Sequence, residues 1–105
     1  MPVEIPQQVL SRMQQHIRKE IVDLCKKEGV TNILYTKVGI VERDGRMMLY
    51  VKIKPKGKIP YELLDKIAKL MRMKYTRKIL VDSPHLYAIR LSGELRKEVF
   101  KRFKK

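Results

Sequence analysis

Arg43-Asp44-Gly45-Arg46, set between two alternating runs, constrains this chain more than any other stretch. Asp-Gly flanked by alternating apolar residues is a strong short-range hairpin signal. The alternation from Ile33 to Ile53 therefore predicts two antiparallel strands. It places Leu34, Thr36, Val38 and Ile40 on one face of the first strand, and Met47, Leu49, Val51 and Ile53 on one face of the second. The opposite face collects Tyr35, Lys37, Tyr50, Lys52 and Lys54. Aromatic rings interleaved with ammonium groups are what a nucleic-acid strand requires, rings to stack on bases and cations to meet phosphates. The same residues also suit the wet side of a half-buried sheet. The first strand is equivocal, because Ile33, Tyr35 and Val41 share a face that could serve as core, and a slip of one residue would exchange every assignment on it.

Charge weighs toward the binding reading. The 25 Lys+Arg against 11 Asp+Glu give a formal net charge of +14, which repels itself in the folded state and attracts polyanions. Nucleic acid ranks first as the partner, an anionic membrane surface second and plain solubilisation third. A chain of 105 residues, 44% of them hydrophobic, fits one domain over 1–105 with a real core. No run approaches the roughly 18 apolar residues that cross a bilayer, and no charged segment leads into an apolar signal core. The expectation is a cytoplasmic, intracellular protein associated with the nucleoid or with RNA. The single cysteine, Cys25, excludes an intramolecular disulfide and a zinc site built on a cysteine pair, and its place on an apolar helix side predicts burial.

Within the domain, residues 1–5 read as a short arm, 6–29 as an amphipathic helix and 30–105 as a basic sheet-and-helix body. Leu10, Met13, Ile17, Ile21 and Leu24 recur at steps of three and four, widened by Val9, Val22 and Cys25, and Gly29 supplies the stop. Residues 1–29 carry only about +1, the remainder about +13. Packing across the inner face of the sheet is the first use of this stripe. Its width also offers a homodimer contact through Leu10, Met13, Ile17, Ile21 and Leu24.

Beyond the hairpin, a basic turn at Lys56-Gly57-Lys58 leads into a helix from Pro60 to about Met73. Leu63, Leu64, Ile67, Leu70 and Met71 form its apolar stripe, with Lys66, Lys69 and Arg72 on the other side. Ile59, at the predicted cap, has no acceptor, so the first amides need water or a phosphate oxygen. Water comes first, because Ile5-Pro6 repeats the uncapped start without a basic turn, but Lys56, Gly57 and Lys58 remain phosphate candidates. No acid occurs from Lys66 to Val81. A second strand pair is expected over Lys78–Val81 and Leu86–Leu91, with Tyr87, Ile89 and Leu91 opposite Leu86, Ala88 and Arg90. Ser92 as cap and Glu94 near the positive end then open a final helix carrying Leu95, Val99 and Phe103 on one stripe. A shift of 38 residues aligns Asp44 with Asp82, Val51 with Ile89 and Ile53 with Leu91, a weak echo of a strand-strand-helix duplication.

Catalytic signatures are missing. His16 and His85 lack ligand spacing, Asp44 and Asp82 fit turns, and neither a phosphate-binding loop, a nucleophile elbow nor a dinucleotide fingerprint occurs. No enzyme, cofactor or metal is therefore expected. The consensus of RNA-recognition motifs, the G-x-x-G loop of KH domains and zinc-finger spacings are also absent. These readings converge on an α+β domain in which helices cover one face of a four-stranded, mainly antiparallel sheet, in the order αββαββα. The expected function is non-catalytic, largely sequence-independent binding of single-stranded DNA or RNA. Tyr35, Tyr50 and Tyr87 would stack on bases. Lys37, Arg43, Arg46, Lys52, Lys54, Lys56, Gly57, Lys58, Arg77, Lys78 and Arg90 would meet phosphates. The alternatives are a ribosomal or other ribonucleoprotein component on structured RNA, an architectural duplex-DNA binder using the helical cations, and a protein-interaction module built on the first helix.

Overall fold

Asp44 at φ 52° and Gly45 at φ 77° supply the two positive-φ residues of a type I′ turn. In the computed structural model, which describes residues 6–83 and 88–103, this turn joins β1 (Ile33–Arg43) to β2 (Arg46–Pro55). Ahead of them lies α1 (Gln7–Lys27); behind them come α2 (Tyr61–Lys74), β3 (Thr76–Ser83), β4 (Ile89–Leu95) and α3 (Val99–Phe103). The element order is the expected αββαββα. All pairings in the four-stranded sheet are antiparallel, and the strand order is β1-β2-β4-β3, so β2 and β4 are central.

Period-two alternation sends Thr36 and Ile40 of β1, Met47, Leu49, Val51 and Ile53 of β2, and Ile89, Leu91 and Leu95 of β4 into one core. Helix α1 contributes Val9, Met13, Ile17, Ile21 and Cys25 to it, and α2 contributes Leu63, Leu64, Ile67 and Met71. Burial pushes the Cys25 thiol pKa up, which suits a small packed hydrophobe rather than a nucleophile. One inward assignment fails. A register shift between Ile33 and Tyr35 turns Leu34 out, 60% exposed, while Ile33 packs on the core instead.

At the end of α1, the Val30 amide donates to the Cys25 carbonyl (2.9 Å) and Gly29 to Lys26 (3.0 Å), a Schellman stop with Gly29 at φ 79°. Met13, Ile17 and Ile21 are 0% exposed, and Leu10 and Leu24 pack against the same core. Of the stripe nominated for a homodimer contact, Met13, Ile17 and Ile21 are thus core, and Leu10 and Leu24 are half-buried beside it. Both long helices start one residue later than the sequence suggested, with Pro6 and Pro60 at the cap positions and no side-chain cap bond at either. Ile59, rather than capping α2, is buried just ahead of it, and with Leu64 it occupies the positions of a hydrophobic staple.

The largest departure is at the C-terminal end. Ser92 to Leu95, expected to open the last helix, continue β4, and α3 starts only at Val99. Strands β2 and β3 flank this segment on both sides, so its backbone groups find ladder partners that outweigh the local preference of Ser92 for a cap. Two ion pairs, Lys74–Glu20 at 3.2 Å and Lys66–Glu28, join α2 to α1. Of the acids that bring residues 1–29 near neutrality, Glu20 and Glu28 are used within the helical layer.

Candidate nucleic-acid interface

The outer face of the sheet is built by the residues that alternate with the core. Register places Lys37 of β1 opposite Lys52 of β2, and Lys52 opposite Arg90 of β4. Adjacent strands lie about 4.8 Å apart, so three cations stand in one row at right angles to the strands. Like charges directly opposite one another destabilise a sheet. Nothing in the row offsets them: among the described residues Lys37, Lys52 and Arg90 form no ion pair.

The next row toward the hairpin turn is Gly39, Tyr50, Ser92 and Leu80. Tyr50 is thus the aromatic of a row whose flanking residues are small, and it is 36% exposed. Arg18, Lys37, Gly39, Tyr50, Lys52 and Arg90 line a groove of about 670 Å³. Ring and cations face the same space.

On the other side of the cationic row, Tyr35 pairs with Lys54. Its ring lies 5.4 Å from Lys37 Nζ, a cation–π distance. Tyr35 does not share the groove of Tyr50; it lines a second one, of about 240 Å³, between the β1 edge and α1. The two rings expected to form one platform therefore flank the cationic row from opposite sides. Tyr87 lies outside the described residues.

The remaining basic candidates divide between the two ends of the sheet. Lys56 and Lys58 are exposed in the turn after β2, where the Lys56 amide donates to the Asn32 carbonyl (2.6 Å), and Gly57 sits beside Asn32 in the same turn. This places them at the Tyr35 and Lys54 end. Arg43 and Arg46 face each other at the hairpin end, where Arg46 Nε stands 4.0 Å from the Glu94 carboxylate. Arg77 and Lys78 are exposed there too, because a bulge sets both against the single residue Glu94. One set of eleven phosphate candidates thus resolves into a central row with Lys54, a near turn, and a separate hairpin-end cluster partly answered by Glu94.

Three participants escaped the sequence reading. Gly39 and Ser92 leave room beside Tyr50, and a glycine inside a strand is the one signal that could have marked the place. Arg18 reaches the sheet from α1 and donates from Nε to the Thr36 carbonyl (3.0 Å), a contact that spacing along the chain does not announce. Among the described residues no cluster of His, Cys, Asp and Glu is placed to hold a metal, and no helix is long and apolar enough to cross a membrane. Compared with known protein families, curated proteins and solved structures, the chain has no match.

Proposed function

We propose that this is an intracellular, non-catalytic protein that binds single-stranded nucleic acid, with little sequence preference, on the outer face of its sheet. The observation that carries the reading is the Lys37–Lys52–Arg90 row with Tyr50 beside it. A row of like charges across three neighbouring strands is unfavourable in the free protein and becomes favourable when phosphates lie along it. Tyr50, half-exposed between Gly39 and Ser92, gives a base a flat surface with space around it. Phosphate contact and base stacking are both indifferent to sequence, so the expected specificity is for the single-stranded state.

The test is fluorescence anisotropy with labelled single-stranded DNA, single-stranded RNA, duplex DNA and a folded RNA, across a salt series. Single strands should bind more tightly than duplex, and Tyr50→Ala should weaken them roughly tenfold while leaving the salt slope unchanged, since the ring meets bases and not phosphates. A preference for duplex or folded RNA, with Tyr50→Ala silent, would move the site to the helical cations.

A further inference from the structure

The sheet-face groove does not end at the sheet. It shares Arg18 and Thr36 with the edge groove, and the edge groove shares Arg18, Val22 and Lys26 with a shallow hollow on α1 that Lys19 and Asp23 also line. Strand β1 borders only β2, so its other side is the open edge of the sheet. Arg18 stands at the crossing point, pinned by its bond to the Thr36 carbonyl, and the rest of its five-donor fork suits a phosphate.

We infer that a bound single strand leaves the sheet over the β1 edge at Arg18 and continues in the groove between β1 and α1. There Tyr35 stacks a further base, and Lys19 and Lys26 meet the phosphates. The inference rests on the sheet-face reading and extends it. Register sets Gly39 opposite Tyr50 and Tyr35 four residues farther along β1, about 13 Å at strand rise. That exceeds one stacked step of about 3.4 Å several-fold, so a strand touching both rings must carry its backbone across the cationic row between them. Beyond Tyr35 the wall is apolar, with Val22, Ile33 and the 60% exposed Leu34, which suits the faces of unstacked bases. The rim is cationic: Arg18, Lys19 and Lys26 form no ion pair among the described residues, and Asp23 is the acid beside them. An apolar groove ringed by cations is a poor seat for a second copy of a chain that carries +14. It complements a polyanion with apolar bases.

The experiment compares the wild type with a Lys19→Ala/Lys26→Ala double variant on single-stranded DNA of about 5 and about 15 nucleotides, lengths within and beyond reach of the sheet face alone. Both lysines are exposed on α1, and a thermal melt of each protein checks that the fold is kept. The variant should bind the short strand as the wild type does. On the long strand it should lose several-fold in affinity at low salt, and its salt slope should fall by about 1.4, two contacts at about 0.7 each. An unchanged slope on the long strand overturns the edge path and leaves the sheet-face reading intact. Equal losses on both lengths also overturn it, since they would report only the lower net charge. Failure of the wild type to bind either length overturns the sheet-face reading and the extension with it.

Discussion

Two glycines within strands serve opposite purposes. A Cβ added to Gly93 would run into the Lys78 carbonyl and lie 3.0 Å from Thr76 Cγ2, because the bulge at Arg77 and Lys78 draws the β3 backbone over β4. Gly93→Ala should therefore destabilise the fold by about 1–3 kcal/mol, read as a lower urea midpoint. A Cβ at Gly39 would meet nothing within 4 Å, and its backbone is not in the positive-φ region. No packing or backbone constraint demands a glycine there. Gly39→Val should keep or raise the urea midpoint, since a β-branched residue favours a strand, while weakening binding of a single-stranded oligonucleotide by filling the space beside Tyr50. A variant that is as stable as the wild type and binds equally well would remove Gly39 from the site.

At the scale of elements, the C-terminus of α2 is held by a residue from a distant part of the chain. Arg96 donates to the carbonyls of Arg72 (2.6 Å), Met73 (3.4 Å) and Thr76 (3.1 Å), and its own amide donates to Tyr75 (2.9 Å). The Arg72 and Met73 carbonyls are among those that a helix end leaves without partners, and a cation there also complements the helix dipole. Arg96→Ala should lower stability by about 1–3 kcal/mol, whereas Lys97→Ala, one residue on and exposed, should stay within about 0.5 kcal/mol. Denaturant titrations of the pair separate a structural cation from a surface one. The contrast also marks what was legible in the sequence. The Asp44-Gly45 turn, the alternation of β2 and the stripes of α1 and α2 are local signals, and the fold follows them. The outward turn of Leu34, the persistence of β4 through Ser92 and Gly93, and the reach of Arg18 and Arg96 depend on partners about 20 or more residues away in the chain. For the site, Lys37, Lys52 and Tyr50 were placed by alternation alone. Their union with Arg90 required the strand order β1-β2-β4-β3, which no local pattern encodes.

For the whole molecule, the four ion pairs of the described residues answer only a few of the cations behind a net charge of +14. In the helical layer Glu20 and Glu28 answer Lys74 and Lys66, while Arg18, Lys19 and Lys26 of α1 form no ion pair among the described residues. The outer sheet face leaves Lys37, Lys52 and Arg90 opposite one another without an acid in the row. A chain of +14 that sets three cations opposite one another retains repulsion there that an anion or screening relieves. Lys52, on a central strand with a cation on either side, tests this directly. Lys52→Thr removes about 0.2–1 kcal/mol of repulsion per opposed pair, so its melting temperature should exceed that of the wild type at low salt. Threonine also has the higher strand propensity, but that gain does not depend on salt. The Debye length falls from about 30 Å at 0.01 M to about 3 Å at 1 M, below the strand spacing of about 4.8 Å. The advantage of the variant should therefore shrink across this range to a salt-independent remainder. A single-stranded oligonucleotide should reverse the order, raising the melting temperature of the wild type more, because a ligand stabilises in proportion to how far its concentration exceeds Kd. If the difference between the two proteins ignores both salt and oligonucleotide, the row is not under repulsion, and the principal argument for a polyanion on this face is lost.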